Sequence, residues 1–301
     1  MICHFLTIHK TFFKMTKTVL ITGITGMLGF YINNLVDRKK YQVFCPTRQE
    51  LDLKNTTQID SFVKKVSPNF ILHLAAETNV DLCEQDIEHA ALINCTAVEA
   101  IAKAASEVGA WMAYISTSNV FGARGKMVYN ELDLPDPENY YGRSKLLGEH
   151  MMQKHLKNSL IVRAGWMIGG GPDRDQKFVG KIIKQIKNGE SVLYAVDDKY
   201  GNVTVAASLA SFILRSMENE RTGTFHFASK GLVTRFDIAR IVAKSLNFSG
   251  EVLPVKSSKF PLPAPRANSE GISSVFLNEF DGIGFVESDV IKYVTEFQNK
   301  F

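Results

Sequence analysis

The chain has 301 residues, of which 45% are hydrophobic and 22% charged, and its formal net charge is +4. These values sit with ordinary soluble globular proteins and argue against disorder and a membrane class. The absence of a long Lys/Arg block argues against a nucleic-acid footprint. A chain this long folds as one large α/β domain or as a nucleotide-binding domain with a smaller companion.

Residues 1–16 read as an N-terminal extension. The stretch from Met1 to Lys17 is apolar and basic, and the first acidic residue is Asp37. His4, His9, Lys10 and Lys14 interrupt its apolar run, so it makes neither a membrane span nor a good secretory signal. An acid-free basic start weakly resembles an organelle transit peptide; the simpler expectation is a segment ahead of Met15 that is frayed or packed on the surface, in a cytoplasmic protein. Cys3, Cys45, Cys83 and Cys95 show no metal or disulfide spacing and read as reduced thiols.

The apolar run Val19-Leu20-Ile21 leads into Gly23-Ile24-Thr25-Gly26-Met27-Leu28-Gly29, and a helix is expected from Met27 to Val36. Strand, glycine turn and helix in that order form a phosphate site. Backbone amides and the positive end of the helix dipole face the anion, and missing Cβ atoms allow close approach. Gln42 to Cys45 is a second strand. Arg48, Glu50 and Asp52 follow it, where such folds read the adenosine ribose. Arg48 comes first and suits a 2′-phosphate, favouring NADPH with NAD use open; a solvated surface arginine explains it equally cheaply.

A helix is expected from Gln58 to Val66, a buried strand from Asn69 to Leu74, a long alanine-rich helix from Glu88 to Val108 and a strand from Trp111 to Ser116. Tyr141 to Leu156 reads as a helix and Leu160 to Arg163 as a strand. The alternation predicts a doubly wound parallel Rossmann sheet with right-handed crossovers. Residues 17–165 are read as an NAD(P)-binding Rossmann domain. Residues 166–301 are read as mainly a smaller substrate-binding domain, with some segments returning to the Rossmann part. That region contains the loop Gly169-Gly170-Gly171-Pro172, a helix near Lys177 to Lys187 and a rigid Pro261-Leu262-Pro263-Ala264-Pro265 segment.

Tyr141 and Lys145 are four residues apart on the expected helix, so both project from one face. An ammonium and a cationic nicotinamide favour a nearby phenolate, and the lysine can also hold a cofactor ribose. Such a pair alone is as well explained by a solvated helix face. Ser116-Thr117-Ser118, ending a strand upstream, adds a hydroxyl able to hydrogen-bond a substrate carbonyl. His73, His89, His150, His155 and His226 have no metal spacing, and there is no GxSxG elbow or P-loop.

Gly23 to Gly29, Leu74-Ala75-Ala76-Glu77-Thr78, Asn94, Ser116-Thr117-Ser118-Asn119-Val120-Phe121 and Tyr141-Gly142-Arg143-Ser144-Lys145 together resemble an extended short-chain dehydrogenase/reductase. Within that superfamily the chain is most similar to dTDP-4-dehydrorhamnose reductases. The similarity continues through Asp133 to Pro137, Leu146 to Glu149, Arg163 to Trp166, Ala195 to Asp198 and Pro265 to Ser269.

The resemblance implies NAD(P)H-dependent reduction of the 4-keto group of a nucleotide-linked 6-deoxyhexose in dTDP-rhamnose biosynthesis, with Tyr141 as proton donor, Thr117 orienting the carbonyl and Lys145 tuning the phenol. It implies cofactor contacts at Gly23, Thr25, Gly26, Met27, Leu28, Gly29, Arg48, Asp52, Leu53, Ala75, Ala76, Thr78, Asn94, Tyr141 and Lys145. Substrate contacts are implied at Thr117, Ser118, Asn119 and Trp166, the last with a core aromatic as the competing account. No metal, nucleic acid or membrane partner is implied, and a homodimer is left open.

Those reductases typically carry Ser-Thr-Asp-Tyr where this chain has Ser116-Thr117-Ser118-Asn119, and often an aromatic residue at the place of Glu77. The exact sugar is thereby less determined than the chemistry. Two alternatives stay open: a non-catalytic NADP-binding regulatory subunit of another enzyme, and a sugar-nucleotide epimerase on the same fold.

Overall fold

The protein is described from a computed structural model, covering residues 16–278 and 281–298. Cys3 and all but the last residue of the extension lie outside the described residues.

The first half alternates strand and helix as its hydrophobic pattern requires. Strand β1 (Lys17–Thr22) is followed by α1 (Met27–Leu35), β2 (Tyr41–Phe44), α2 (Thr56–Val66) and β3 (Phe70–His73). A short helix that the periodicity does not announce, α3 (Val80–Gln85), comes next, with Asn79 capping it by accepting from Leu82 N at 3.1 Å. The expected single helix over 88–108 is instead α4 (Ile87–Ala91), a π-helical turn at Leu92–Thr96 and α5 (Ala97–Val108). Hydrophobic spacing does not register one widened turn, and such turns collect at functional sites. Strand β4 (Trp111–Thr117) leads through β5 (Val128–Tyr129) to the long α6 (Tyr140–His155) and β6 (Ser159–Ala164).

The later elements are β7 (Trp166–Ile168), α7 (Gly171–Arg174), α8 (Phe178–Lys187), β8 (Val192–Val196), β9 (Tyr200–Gly201), β10 (Val203–Val205) and α9 (Ala206–Glu218). They continue with β11 (Gly223–Phe227), β12 (Val233–Thr234), α10 (Arg235–Ser245), β13 (Glu251–Val255), β14 (Gly271–Ile272) and α11 (Val286–Gln298). α10 opens on Thr234-x-x-Asp237, a reciprocal capping box.

Six strands form the doubly wound parallel sheet in the order β11-β6-β4-β3-β1-β2. Val19, Ile21, Leu72, Ala113 and Val162 point to one face and pack under α1 and α9; Leu20, Ile71, Met112, Tyr114 and Ile161 point to the other, under α2, α5 and α6. The chain steps from β1 outward to β2 and then returns to place β3 on the other side of β1. Ligands in open α/β sheets bind beyond the carboxyl ends of strands at such a reversal. A further apolar core gathers Val179, Ile183, Leu193, Val242, Val290 and Phe297 from α8, β8, α10 and α11.

One ion pair is buried inside this frame. Arg163 of β6 gives Glu149 of α6 three hydrogen bonds, of 2.7, 3.0 and 3.2 Å, with side chains 8% and 2% exposed. Removing one partner of such a pair strands the other charge in a dry site. Glu149→Ala should therefore cost about 3–5 kcal/mol in urea unfolding, and a loss under about 1 kcal/mol would contradict a desolvated pair.

Candidate active site

The glycine turn sits where the topology places a ligand crevice. Gly23 has φ +74, and a Cβ there would lie 2.6 Å from Ala75 N; a Cβ on Gly29 would lie 2.5 Å from both Gly23 O and Ile24 O. Only bare backbone lets the turn close on the strand beside it. Gly26 is the N-cap of α1 and supplies no side-chain cap, and the helix has no acid in its first turn. Thr25 and Gly26 are exposed, so the helix amides and dipole are left for an anion. Leu28 turns into the core at 6% exposure, which leaves its backbone for the crevice. Met27 lies under the Gly169-Gly170-Gly171 loop.

At the end of β2, Arg48 and Asp52 are exposed. Asp52 accepts from Lys54 N at 2.9 Å, and Leu53 packs against the second sheet face. Arg38, unflagged by the sequence because it precedes β2, reaches this place from the α1–β2 turn. Its guanidinium donates to Asn33 Oδ1 at 2.7 Å and lies beside the Cys45 thiol.

Ala75 and Ala76 follow β3 beside the turn, with Thr78 exposed further along. Asn94, 1% exposed, spends its amide on the protein. Its Oδ1 accepts from Glu77 N at 3.0 Å, and its Nδ2 donates to Glu77 O at 3.0 Å and Ser144 Oγ at 3.1 Å. The π turn thus sets a clamp between the loop after β3 and α6 at Ser144.

Thr117, Tyr141 and Lys145 converge. Thr117 closes β4 at 6% exposure and hydrogen-bonds the Tyr141 phenol. Asn139 starts α6 by accepting from Gly142 N at 2.9 Å, which fixes the helix face that carries Tyr141 and Lys145. Burial pushes the phenol's proton affinity up, so it is held as a neutral acid, and the Thr117 hydrogen bond opposes that shift. Burial drives the Lys145 ammonium down to about 7, against the pull of Glu149. The ammonium stands 4.0 Å over the Tyr114 ring, whose hydroxyl donates to Asn94 O at 3.1 Å. Beneath it His73 is 1% exposed, pairs Nδ1 with Thr22 Oγ1 at 2.7 Å, and is pushed down to about 3 by burial and by the Lys145 charge.

Ser118 and Asn119 both bond Glu270, a residue without a sequence signal: Ser118 Oγ donates to Glu270 Oε2 at 3.1 Å and Asn119 Nδ2 donates to the same oxygen. Trp166 rests on Gly201, with its Nε1 buried and without a hydrogen-bond partner among the described residues. The Arg235 guanidinium stacks 3.7 Å from its ring centroid and 5.1 Å from that of Phe178. The charges of Glu270 and Arg266 both act on Arg235. Arg235 lies far from the motifs in sequence, and Glu270 directly follows the Pro265 to Ser269 segment without belonging to it.

The whole arrangement is an anion-accepting turn, a neutral phenol hydrogen-bonded to a hydroxyl, a buried amine, and an aromatic–cation pair across the crevice. The chain matches the family described as the RmlD substrate binding domain over residues 16–282. It is 32% identical over 283 residues to the dTDP-4-dehydrorhamnose reductase of Salmonella typhimurium, covering 87% of this chain and 92% of that protein. The crystal structure of a dTDP-4-dehydrorhamnose reductase from Yersinia enterocolitica superposes with a TM-score of 0.91 at 49% identity, covering 93% of this chain and 99% of that one. A reductase of the same name from Bacillus anthracis, in complex with NADP, gives a TM-score of 0.86 at 29% identity, covering 94% and 100% of the two chains.

Because Lys145 titrates near 7 when folded and at 10.5 when free, the unfolded chain binds the extra proton between those values and stability gained from this residue rises with pH. Lys145→Met removes the titration. The variant should be the more stable protein below pH 7, by a margin that shrinks as pH rises from 7 towards 10.5; a margin independent of pH in paired melting curves would contradict the burial of a titrating amine.

Proposed function

The chain belongs to the RmlD family of dTDP-4-dehydrorhamnose reductases, and from that premise we propose that it reduces the 4-keto group of a nucleotide-linked 6-deoxyhexose with NADPH. The observation that carries this reading is the neutral Tyr141 phenol hydrogen-bonded to Thr117 and placed on one helix face with the buried Lys145.

The residues divide the work. The Gly23–Gly29 turn fits a cofactor diphosphate, because a side chain at Gly23 or Gly29 would collide with backbone and the helix amides have no internal cap. Leu28 contributes there through its backbone. Ala75, Ala76 and Thr78 line the crevice beyond, Asp52 and Leu53 border the adenine side, and Asn94 positions the loop and helix between them. Bound NADPH supplies the hydride.

Tyr141 gives its proton to the carbonyl oxygen as that oxygen becomes an alkoxide, and Thr117 hydrogen-bonds the same oxygen. A phenol kept protonated by burial is the form that a reduction consumes. Lys145 stabilises the phenolate left behind, and its low proton affinity in the free protein lets it take part in proton return near neutral pH. Trp166 and Arg235 offer an aromatic plane and a cation to the sugar-nucleotide, while Ser118 and Asn119 act on the sugar through Glu270. Arg38 and Arg48 favour the 2′-phosphate of NADPH over NADH.

A regulatory subunit that only binds NADP has no use for a buried amine aligned with a phenol, since a buried charge is destabilising. That favours catalysis over the scaffold alternative. A homodimer and a cytoplasmic setting accord with this reading.

With a dTDP-4-keto-6-deoxyhexose as substrate, Tyr141→Phe should lower kcat by about 10²–10⁴-fold while leaving NADPH binding unchanged; oxidation of NADPH at the native rate would overturn the assignment of the proton donor. In fluorescence titrations, the double variant Arg38→Ala, Arg48→Ala should bind NADPH about tenfold more weakly and NADH within about twofold of the parent. Equal weakening for both would remove the arginines from cofactor selection.

A further inference from the structure

We propose that Glu270 reads the sugar: its carboxylate accepts a hydrogen bond from a ring hydroxyl of the substrate hexose beside the reducible carbonyl. The inference deepens the reductase reading above and rests on it.

Glu270 reaches the crevice on a segment fastened along its length. Arg266 donates to both oxygens of Asp81 in α3, at 2.9 and 3.0 Å, and Pro265 O accepts from Asn139 Nδ2 at 3.1 Å. Ser269 Oγ donates to Met127 O, and Glu270 N donates to Tyr200 O at 3.0 Å. The backbone leading to the carboxylate is therefore fixed to the cap of α6, to α3 and to β9, and the residues after it pair with β5.

The carboxylate itself is aimed by Ser118 and Asn119, which directly follow Thr117. Both bonds fall on Oε2, and Oε1 has no hydrogen-bond partner among the described residues. Asn119 Oδ1 in turn accepts from Asn139 Nδ2 at 3.2 Å, tying the same group to the start of α6. The negative charge is felt by the Tyr141 phenol on one side and by Arg235 on the other. Glu270 is thus held against the two residues that directly follow Thr117, near enough to both Tyr141 and Arg235 for its charge to act on each.

An ionised carboxylate only accepts, and the hydroxyls of a 4-keto-6-deoxyhexose are donors, so a free Oε1 at this place is complementary to them. A hydrogen bond to a charged acceptor is about twice as strong as one between neutral groups. The same charge disfavours sugars that present a carboxylate there, and it tolerates no alkylated hydroxyl. Ser118 and Asn119 act as positioning residues: by holding Oε2 they orient Oε1.

Glu270→Gln tests this, because the amide oxygen still accepts from Ser118 and Asn119 while the charge is lost. With a dTDP-4-keto-6-deoxyhexose, the variant should show KM raised about tenfold, kcat within about threefold and unchanged NADPH affinity. The 2-deoxy and 3-deoxy forms of that substrate supply a readout that a structural role would not move. One of them should cost the wild-type protein about tenfold in kcat/KM and cost Glu270→Gln no more than about threefold, since the amide left at that place makes only a neutral hydrogen bond. Unaltered KM in the variant, or a deoxy penalty that persists in full, would overturn the assignment while leaving the reductase reading in place. If the wild-type protein reduces no 4-keto sugar nucleotide, the reductase reading fails first and this inference goes with it.

Discussion

Lys145 is 1% exposed, and its ammonium has the face of Tyr114 at 4.0 Å and Glu149 one helical turn away. Burying an amine is costly unless other groups share the charge. Here the cost is met by a layer of polar side chains under α6: Tyr114 on Asn94, His73 on Thr22, and Glu149 on Arg163. That layer sets the height and rotation of α6 over the sheet, and hence where Tyr141 meets Thr117. Burial beside that layer keeps the amine near 7, against the pull of Glu149, and keeps the phenol protonated, the pair of states from which a carbonyl reduction starts.

Topology brings the other groups to the same end. Strand β3 lies beside β1 while β2 lies on its far side, so the glycine turn and the loop after β3 face each other across the reversal. β4 ends one strand further on, at Thr117. The segment carrying Arg266 and Glu270 crosses in front of these strand ends and is anchored on α3 and on Asn139. Arg235, at the start of α10, adds a cation against Trp166. The site is therefore assembled from the ends of parallel strands, one long helix and two distant segments.

Local spacing made the central parts legible in sequence. Gly23, Gly26 and Gly29 announce a turn because backbone contact excludes side chains there, and Tyr141 and Lys145 share a face because a helix repeats every 3.6 residues. The parallel sheet followed from the alternation of buried strands and amphipathic helices. What was missed is non-local or irregular. The π turn at Leu92–Thr96 changes the register of a helix without altering its composition. Arg235 and Glu270 matter through neighbours far away in the chain; Glu270 is 152 positions from Ser118, and Arg38 lies in a turn that no motif marks. Asn94 illustrates the converse, a motif residue legible in sequence whose amide is occupied by Glu77 and Ser144.

Transfer of label from the cofactor tests the central claim most directly. NADPH carrying deuterium at the transferable C4 position, turned over by the purified protein with a dTDP-4-keto-6-deoxyhexose, should give a product with one deuterium at C4 of the sugar and unlabelled NADP, as read by mass spectrometry and proton NMR. Deuterium retained in the cofactor, or a sugar recovered with its 4-keto group intact, would contradict the account.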